Sequence, residues 1–327
     1  MAATAQSAPG ELDLALIHAL QIDARAPWSR VAAVLGVDTA TVTRHWRSLE
    51  ERRLAWVTMW PTPQRWAATS DVAIVLLEAG PDARDALIEL PWVVGLDATS
   101  AGKLSTITDA RGLDGLGDRA RAVADLGARV HRMDVVATIS EEDSTWRLQA
   151  LSREQQRALA PTFPAGAMRM PSAEAVADIA AELDDDPRLP ALTLARRIGV
   201  SEATARRLVD RATATGLLRF GCDLAMPAAG LGRGAVLWGR AHDVEVAADR
   251  AARLPEAHRV GVVVGPAPLH VCVRARSLTA LPRIERSWHD AASVDITDRW
   301  TVLRTWKRNG HVLDAEGRSI RRIPTQW

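Results

Sequence analysis

The sequence predicts an α+β protein in which one chain carries two winged helix-turn-helix domains and two ferredoxin-like βαββαβ domains, arranged as an intramolecular pseudo-dimer. Three observations predict this class. A stretch near the start recurs 163 positions later without a gap, and each copy has the apolar spacing of short amphipathic helices. After each copy the apolar period changes from that of helices to that of strands.

The recurring residues cover one supersecondary unit and keep one register. They are Leu20, Asp23, Arg25, Pro27, Ala32, Gly36, Val37, Ala40, Thr41, Arg44 and Leu54, which return as Leu183, Asp186, Arg188, Pro190, Ala195, Gly199, Val200, Ala203, Thr204, Arg207 and Leu217. A constant register over such a unit indicates a tandem duplication. The chain is therefore predicted to hold two copies of one arrangement.

The first copy has the signals of three short helices. Apolar residues at three- and four-residue spacing predict a helix over Glu11 to Asp23. Ser29 is predicted to cap a second helix, Gly36 to end it in a left-handed turn, and Asp38 to cap a third. The buried side of the third helix is predicted to be Val42, either His45 or Trp46, and Leu49.

The second copy follows the same order. Helices are predicted over Ala175 to Leu183 and Leu192 to Ile198, with Gly199 at the turn and Ser201 as the cap of a third helix. A short helix, a glycine turn and a capped helix are typical of the helix-turn-helix, whose last helix enters the major groove of DNA. Two such patterns in register are a stronger indication than one.

The polar face of each third helix supplies the candidate DNA-binding residues. They are Thr39, Thr43, Arg44 and Arg47 in the first copy, and Glu202, Arg206, Arg207 and Asp210 in the second. Arginine forms paired hydrogen bonds with a guanine edge, whereas the alternative interpretation is an ordinary solvated helix face. Because the second copy has two carboxylates where the first has Thr39 and Arg47, the two copies are predicted to read different bases.

Each helical unit is followed by a segment with the order βαββαβ. In the first copy, strands are predicted over 71–77, 92–97, 104–108 and 130–139, and helices over 82–90 and 116–126. In the second, strands are predicted over 235–239, 260–264, 269–274 and 294–303, and helices over 244–254 and 279–291. This order covers one sheet face with helices and leaves the other bare. We therefore expect the bare faces of the two sheets to pack together.

The predicted domains follow from these patterns. They are a first helix-turn-helix domain over 11–60, a first βαββαβ domain over 66–145, a linker over 146–171, a second helix-turn-helix domain over 172–226, a second βαββαβ domain over 231–314 and a tail over 315–327. For the tail the sequence leaves two alternatives, an exposed extension or an oligomer contact. The end of the linker, Pro161 to Pro171, has the composition of a flexible connector.

Composition restricts the function classes. The chain of 327 residues is 47% hydrophobic and 25% charged with a net charge of +1, which is the profile of a globular protein. Cys222 and Cys272 lack the spacing of a zinc site or a disulfide scaffold and are expected to be buried. No apolar run is long enough for a membrane span, so a cytoplasmic location is expected, without membrane contact. No catalytic residue, metal or cofactor is predicted.

The order of units resembles the Lrp/AsnC family of transcriptional regulators. The matching segments are Leu12-Asp13, Asp23-Ala24-Arg25, Leu35-Gly36-Val37, and Leu217-Leu218-Arg219-Phe220 followed by Pro227 and Leu231-Gly232. The resemblance covers residues 11–314. It implies double-stranded DNA as a partner, and βαββαβ domains that dimerise and sense small molecules, commonly amino acids. Members usually have one copy per chain, so this chain resembles a fused dimer, with homo-oligomers of fused chains left open.

The resemblance does not identify the ligand-binding residues. The family tends to carry a Gly-x-Tyr/His-Asp segment before its third strand. The corresponding stretches here, 102–104 and 265–270, lack the acid. The residues that bind an effector, and the effector itself, are therefore left unassigned.

Two alternatives belong to other function classes. Siroheme decarboxylases resemble the same family and also occur as fused pairs, but such an enzyme needs His with Tyr or Arg around a tetrapyrrole. This chain has no tyrosine and its eight histidines are scattered, so the sequence favours a protein that is not an enzyme. The third alternative is an interaction module whose helical units no longer bind DNA.

Overall fold

The computed structural model describes residues 8–61, 70–141, 146–163 and 169–324. These residues form two compact units. The head unit takes its described residues from Met1–Trp66, Arg147–Leu224 and Pro324–Trp327, and the sheet unit takes its own from Ala67–Trp146 and Ala225–Ile323. Residues 164–168 of the predicted connector lie outside the described residues.

The head unit begins with three helices and a strand. They are α1 (Glu11–Ile22), α2 (Trp28–Leu35), α3 (Thr39–Glu51) and β1 (Ala55–Pro61). Gly36 ends α2 at φ +70°, and the Asp38 carboxylate accepts a hydrogen bond from the Thr41 amide at 2.7 Å to cap α3. Both features were predicted. The predicted cap at Ser29 is wrong, because the cap position is taken two residues earlier by Pro27, whose ring fixes φ at a value that suits helix initiation.

The second part of the head unit repeats this order after one extra helix. Its elements are α6 (Arg153–Leu159), α7 (Ala173–Leu183), α8 (Ala191–Ile198), α9 (Glu202–Ala214) and β6 (Leu218–Leu224). Gly199 ends α8 at φ +70°, and the Ser201 hydroxyl accepts from the Thr204 amide at 3.2 Å. A buried apolar cluster that includes Ile179, Leu183 and Leu194 holds these helices together.

The two helical parts are joined by strand pairing. Strands β1 and β6 are antiparallel, with Thr58 opposite Gly221, and the pairing runs from Ala55 opposite Leu224 to Pro61 opposite Leu218. Met59 of β1 also enters the apolar cluster of the second part. Pairing satisfies the backbone groups that a lone strand would expose.

Two arginines reinforce this junction reciprocally. Arg25 donates through its two Nη atoms to the carbonyl oxygens of Pro187 and Leu189, the latter at 3.0 Å. Arg188 donates in the same way to Ala24 and Ala26, the latter at 2.9 Å. Each arginine thus clamps the loop that carries the other.

The chain after the first sheet returns to pack on α1 and α2. Buried His18 accepts hydrogen bonds at Nδ1 from the amides of Ala150 and Leu151, at 3.2 and 3.0 Å. Arg30 donates to the carbonyl of Ala158 in the last turn of α6 and to that of Ala160 just after the helix. The first half of the predicted linker is therefore an ordered part of the head unit.

The sheet unit is built from two sets of strands and helices. The first set is β2 (Asp71–Glu78), α4 (Pro81–Glu89), β3 (Val93–Thr99), β4 (Leu104–Ala110), α5 (Gly112–Asp125) and β5 (Arg129–Glu141). The second is β7 (Arg233–Arg240), α10 (Val244–Ala251), β8 (Ala257–Val264), β9 (Leu269–Ala275), α11 (Leu281–Ala292) and β10 (Asp295–Arg308), with a 3-10 turn at Leu278–Ala280. The predicted order βαββαβ is present in both.

The strands of the two sets form one closed sheet. The order is β3-β4-β2-β5-β8-β9-β7-β10, and β10 returns to pair with β3. Neighbouring strands are antiparallel at both junctions, where Val135 lies opposite Val264 and Thr305 lies opposite Asp97. The sequence predicted packing of the bare sheet faces and did not predict that the two sheets also join edge to edge. This pairing satisfies backbone groups that the outer strands of each set would otherwise expose.

The helices cover the outside of this closed sheet. One apolar cluster packs α4 and α5 on the first set of strands through Val75, Leu77 and Leu87, and another packs α10 and α11 on the second through Leu237, Val271 and Trp288. Alternate residues point to the inner side, where the following cluster lies: Leu76, Val236, Trp238, Ala267, Cys272 and Val302. Cys222 and Cys272 are both buried free cysteines, as expected.

The end of the chain extends this sheet. Strands β11 (His311–Leu313) and β12 (Ser319–Arg322) follow β10; β11 pairs with β10, and β12 pairs with β11. The predicted tail thus contributes a strand, and residues 325–327 lie outside the described residues. Over the described part of the chain, no helix has both the length and the apolar character needed to cross a membrane.

We expect Arg188→Met to lower the free energy of unfolding of the head unit by about 1.5–3 kcal/mol, because the Ala24 and Ala26 carbonyls lose a charged donor. Arg196→Met, at an exposed position on α8, is the matched control and should change little. Urea denaturation followed by tryptophan fluorescence measures both. Equal losses for the two variants would contradict the clamp.

The contact at His18 predicts a dependence of stability on pH. Burial, helped by the positive charge of Arg147, lowers the pKa of His18 from 6.5 to about 4. The unfolded chain therefore binds a proton more readily, so this contribution to stability is present above pH 6.5 and is lost as the pH falls toward 4. We expect His18→Asn, which keeps an acceptor that does not titrate, to lose less stability than the parent over this interval.

The control for this measurement is His242→Asn, at an exposed position. It should follow the parent curve, because it leaves the contacts of His18 with the Ala150 and Leu151 amides intact. Chemical denaturation at a series of pH values gives the three curves. A parent and a His18→Asn variant with parallel curves would show that His18 does not titrate as described.

Candidate nucleic-acid interface

Helix α3 exposes the face that the sequence predicted. Thr39, Arg44 and Arg47 are exposed and Thr43 is half-buried. The opposite face is buried at Val42, Trp46 and Leu49, so the structure selects Trp46 over His45 for the core. His45 instead binds through Nδ1 to the Asp13 carboxylate at 2.7 Å, which ties α3 to α1.

Helix α9 is arranged in the same way. Glu202, Arg206 and Arg207 are exposed and Asp210 is half-buried, whereas Ala205, Val209 and Ala212 are buried. The eight predicted residues therefore lie together on the outer faces of two helices in one unit. Contact with DNA stays a prediction.

Each face presents one arginine in the same setting. The Nη2 atom of Arg44 donates to Thr41 Oγ1 at 3.2 Å, and Nη2 of Arg207 donates to Thr204 Oγ1 at 3.2 Å. The two threonines in turn lie against the helix caps Asp38 and Ser201, at 2.8 and 2.9 Å. Each of these hydrogen bonds restricts the direction in which the arginine side chain extends from its helix.

Sequence reasoning missed Thr41 and Thr204 as residues that orient the two arginines. The signal was present, because both are among the residues that recur at one register. The hydrogen bonds from Thr41 also hold the pKa of Asp38 below its usual value, so that cap remains an anion.

The two faces differ in charge. On α9, Arg206 forms an ion pair with Glu202 at 2.6 Å, one helical turn away. Asp210 occupies the position of Arg47, and burial raises its pKa, although Arg206 and Arg25 act in the opposite direction. The face of α9 is thus closer to neutral than the face of α3.

Two arginine-bearing third helices, each preceded by a capped turn, define a protein of the helix-turn-helix class. Residues 11–50 match the family model of the AsnC-type helix-turn-helix domain. This match agrees with the resemblance to the Lrp/AsnC family seen in the sequence, over the first helix-turn-helix.

Solved structures provide a second comparison. The siroheme decarboxylase NirDL, alone and in co-complex with an iron-uroporphyrin III analogue, is similar over 91% of this chain and 93% of its own, with 14% sequence identity and TM-scores of 0.56 and 0.57. The leucine response regulatory protein LrpA of Mycobacterium tuberculosis matches 42% of this chain and 97% of its own, with 22% identity and a TM-score of 0.40. No curated protein matches the sequence.

This comparison corrects one expectation. The sequence favoured a protein that is not an enzyme, yet a structure that matches nearly the whole chain is that of an enzyme. The absence of tyrosine was therefore not a sufficient argument. At 14% identity the likeness shows the shared fold, and the same fold carries more than one function.

We expect Arg44→Ala and Arg207→Ala each to weaken binding to its own DNA half-site by about 1–3 kcal/mol, as for the loss of an arginine paired with guanine. Because the face of α3 is less neutralised, the loss from Arg44→Ala should be the larger. Fluorescence anisotropy on duplexes altered in one half-site at a time measures this. Equal losses on both halves would contradict the asymmetry.

The carboxylates of α9 offer the reverse experiment. Glu202→Thr and Asp210→Arg install the residues that α3 has at the same positions, and we expect the double variant to bind DNA more tightly than the parent. The control is Glu182→Thr, which removes a carboxylate from α7 and leaves the α9 face intact. Unchanged affinity in the double variant would show that α9 does not approach DNA.

Proposed function

We propose that this chain is a sequence-specific, double-stranded DNA-binding transcriptional regulator of the Lrp/AsnC type, modulated by a small molecule such as an amino acid. The observation that carries the proposal is the pair of exposed third helices, each presenting an arginine that is hydrogen-bonded to a threonine beside the helix cap. The match of residues 11–50 to an AsnC-type helix-turn-helix domain supports it.

In this proposal the third helices read the bases. Helices α3 and α9 enter the major groove, and Arg44 and Arg207 donate to the O6 and N7 atoms of guanine. The contacts to Thr41 and Thr204 orient the guanidinium groups before DNA arrives, which reduces the entropy lost on binding. Thr39, Thr43 and Arg47 lie beside Arg44 on the same face.

The second helix reads with a different set of groups. Glu202 and Asp210 repel phosphate but accept hydrogen bonds from the amino group of cytosine. Arg206 is paired with Glu202, so it attracts a phosphate less strongly than an unpaired arginine would. We infer an asymmetric operator in which α3 contributes more of the affinity than α9.

We also propose that the chain is a fused dimer that arose by tandem duplication. The predicted domains, from 11–60 to 231–314, are the two subunits in order. The reciprocal clamps of Arg25 and Arg188 and the pairing of Thr58 with Gly221 support this, because residues 163 apart occupy corresponding places. Covalent joining keeps both reading helices together at any protein concentration, on half-sites about 34 Å apart or a multiple of that distance.

Partners and location follow from the same proposal. Double-stranded DNA is the principal partner and an amino-acid-like molecule the effector, with further assembly of fused chains into homo-oligomers as in a family of dimerising regulators. The cytoplasm is the proposed location. No membrane contact forms part of the proposal.

A second candidate function is favoured by one observation. The structure of NirDL matches both halves of this chain at once, whereas the single-copy regulator matches less than half of it. A decarboxylase that acts on a siroheme-like tetrapyrrole is therefore a candidate. Absorption spectra recorded while the chain is titrated with an iron-uroporphyrin III analogue test it, since a bound tetrapyrrole shifts its own spectrum.

The salt dependence of DNA binding tests the first proposal. Genomic fragments captured by the purified chain and footprinted give the operator. We expect the logarithm of affinity to fall linearly with the logarithm of salt concentration, with a slope of about −0.9 for each phosphate neutralised. Arg44→Ala with Arg207→Ala should remove the preference for the operator while a salt-dependent background remains. Failure to capture any fragment would contradict a DNA-binding function.

A further inference from the structure

The two arginine clamps of the head unit place their guanidinium groups against different aromatic rings. The Cζ atom of Arg188 lies 3.9 Å from the centroid of the Trp28 ring, and the Cζ atom of Arg25 lies 5.3 Å from the centroid of the Phe220 ring. Trp28 is the first residue of α2, whereas Phe220 belongs to β6. Arg188 therefore contacts a helix of the first helix-turn-helix, and Arg25 contacts the strand pairing between the two parts.

A second aromatic contact continues from α2 to the third helix. The ring centroids of Trp28 and Trp46 are 6.0 Å apart, and the ring planes are tilted by 39°. Trp46 belongs to the buried face of α3, the helix that exposes Arg44 on its other side. The loop before α8 is thus linked to α3 by Arg188, Trp28 and Trp46, which we call the cation–aromatic stack.

Hydrogen bonds fix the orientation of the cation in this stack. The Nη atoms of Arg188 donate to the carbonyl oxygens of Ala24 and Ala26, the latter at 2.9 Å. Turning the guanidinium away from the Trp28 ring would break these bonds. Burial lowers the pKa of Arg188 to about 10, which leaves the group charged at neutral pH. A cation–π contact is stronger when the cation is withdrawn from water, as this one largely is.

The second half has different residues at the two aromatic positions. In the alignment at 163 residues, Ala191 corresponds to Trp28 and Val209 corresponds to Trp46. Neither of these side chains has a ring on which a guanidinium group could lie. Among the described residues, the aromatic path therefore reaches α3 and has no counterpart at α9.

The separation of DNA half-sites gives this link a consequence for recognition. Two reading helices on one unit can contact DNA together only when the half-sites match the distance and rotation between the helices. One added base pair moves a half-site about 3.4 Å along the duplex and about 34° around it, since 10–10.5 base pairs make a turn of about 34–36 Å. A helix that shifts freely tolerates such a change, whereas a helix held from the other half does not.

We propose that Arg188 and Trp28 are positioning residues that hold α3 in a fixed place relative to the second half, and so restrict the separation of the half-sites that the chain accepts. The cation–aromatic stack supplies the connection, because it runs from the loop before α8 to the buried face of α3. The inference rests on the proposed DNA-binding function, and it adds a geometric rule for the choice of operator.

Fluorescence anisotropy of the full chain on a set of duplexes tests the proposal. The set contains the captured operator, the same operator with one or two base pairs added or removed between its half-sites, and a duplex with only the half-site that Arg44→Ala affects. We expect the parent to bind the altered separations about tenfold or more weakly, because the DNA must then be deformed to fit. Trp28→Ala, which installs the residue of the second half, and Arg188→Met should reduce this penalty to about threefold or less, because a freer α3 spares the DNA that deformation. Both variants should bind the single half-site as the parent does.

Two control variants should keep the spacing preference of the parent. Trp28→Phe retains a ring beside the guanidinium, and Arg196→Met removes an exposed arginine of α8. Urea denaturation checks that each variant is folded under the conditions of the assay.

A parent-like spacing preference in either Trp28→Ala or Arg188→Met overturns the proposal. An equal loss of affinity on every duplex, with the single half-site included, also overturns it, because that result indicates a role in folding alone. A parent that binds no DNA contradicts the proposed function, whereas a parent that binds every separation equally well overturns only this inference.

Discussion

Unpaired strand edges are the constraint on which the architecture depends. A βαββαβ set has two outer strands whose backbone N–H and C=O groups need partners, and a helix layer does nothing for them. Here β5 pairs with β8 and β10 pairs with β3, so each set supplies the partner that the other lacks. The outer helices and the inner apolar cluster take their positions from this closure.

The head unit follows the same logic on a smaller scale. Strands β1 and β6 are each short and would be unstable alone, and their pairing brings the two arginine clamps within reach of opposite loops. The third helices keep their polar faces exposed beside this junction. Under the proposed function this arrangement suits sequence recognition, since affinity is lost when contact groups must first be ordered.

Local signals predicted the local structure. Gly36, Gly199, Asp38 and Ser201 act within a few residues of themselves, so their turns and caps were predicted from the sequence and are present. The predicted cap at Ser29 was wrong because a second residue that favours a helix start, Pro27, lies two positions earlier and occupies the cap position. The polar faces of α3 and α9 could be predicted because helical periodicity determines them once the buried residues are known.

The remaining features depend on parts of the chain that are far apart in sequence. The contact between His18 and Leu151, the Arg188 clamp and the edge pairing of the sheets join segments more than a hundred residues distant, and no local pattern marks them. The prediction that the chain is not an enzyme rested on the absence of one residue type, whereas catalysis depends on the geometry of a site, which residue counts do not give.

The residue pair at the centre of the β1–β6 ribbon has a consequence for how such a chain changes over time. Thr58 is buried and lies opposite Gly221, a residue without a side chain. In an assembly of two identical subunits, a residue on the symmetry axis contacts the same residue of the other subunit. One mutation therefore changes both residues, and a large side chain must pack against an identical one. When one chain contains both strands, the two positions mutate independently, so a larger residue can face a smaller one.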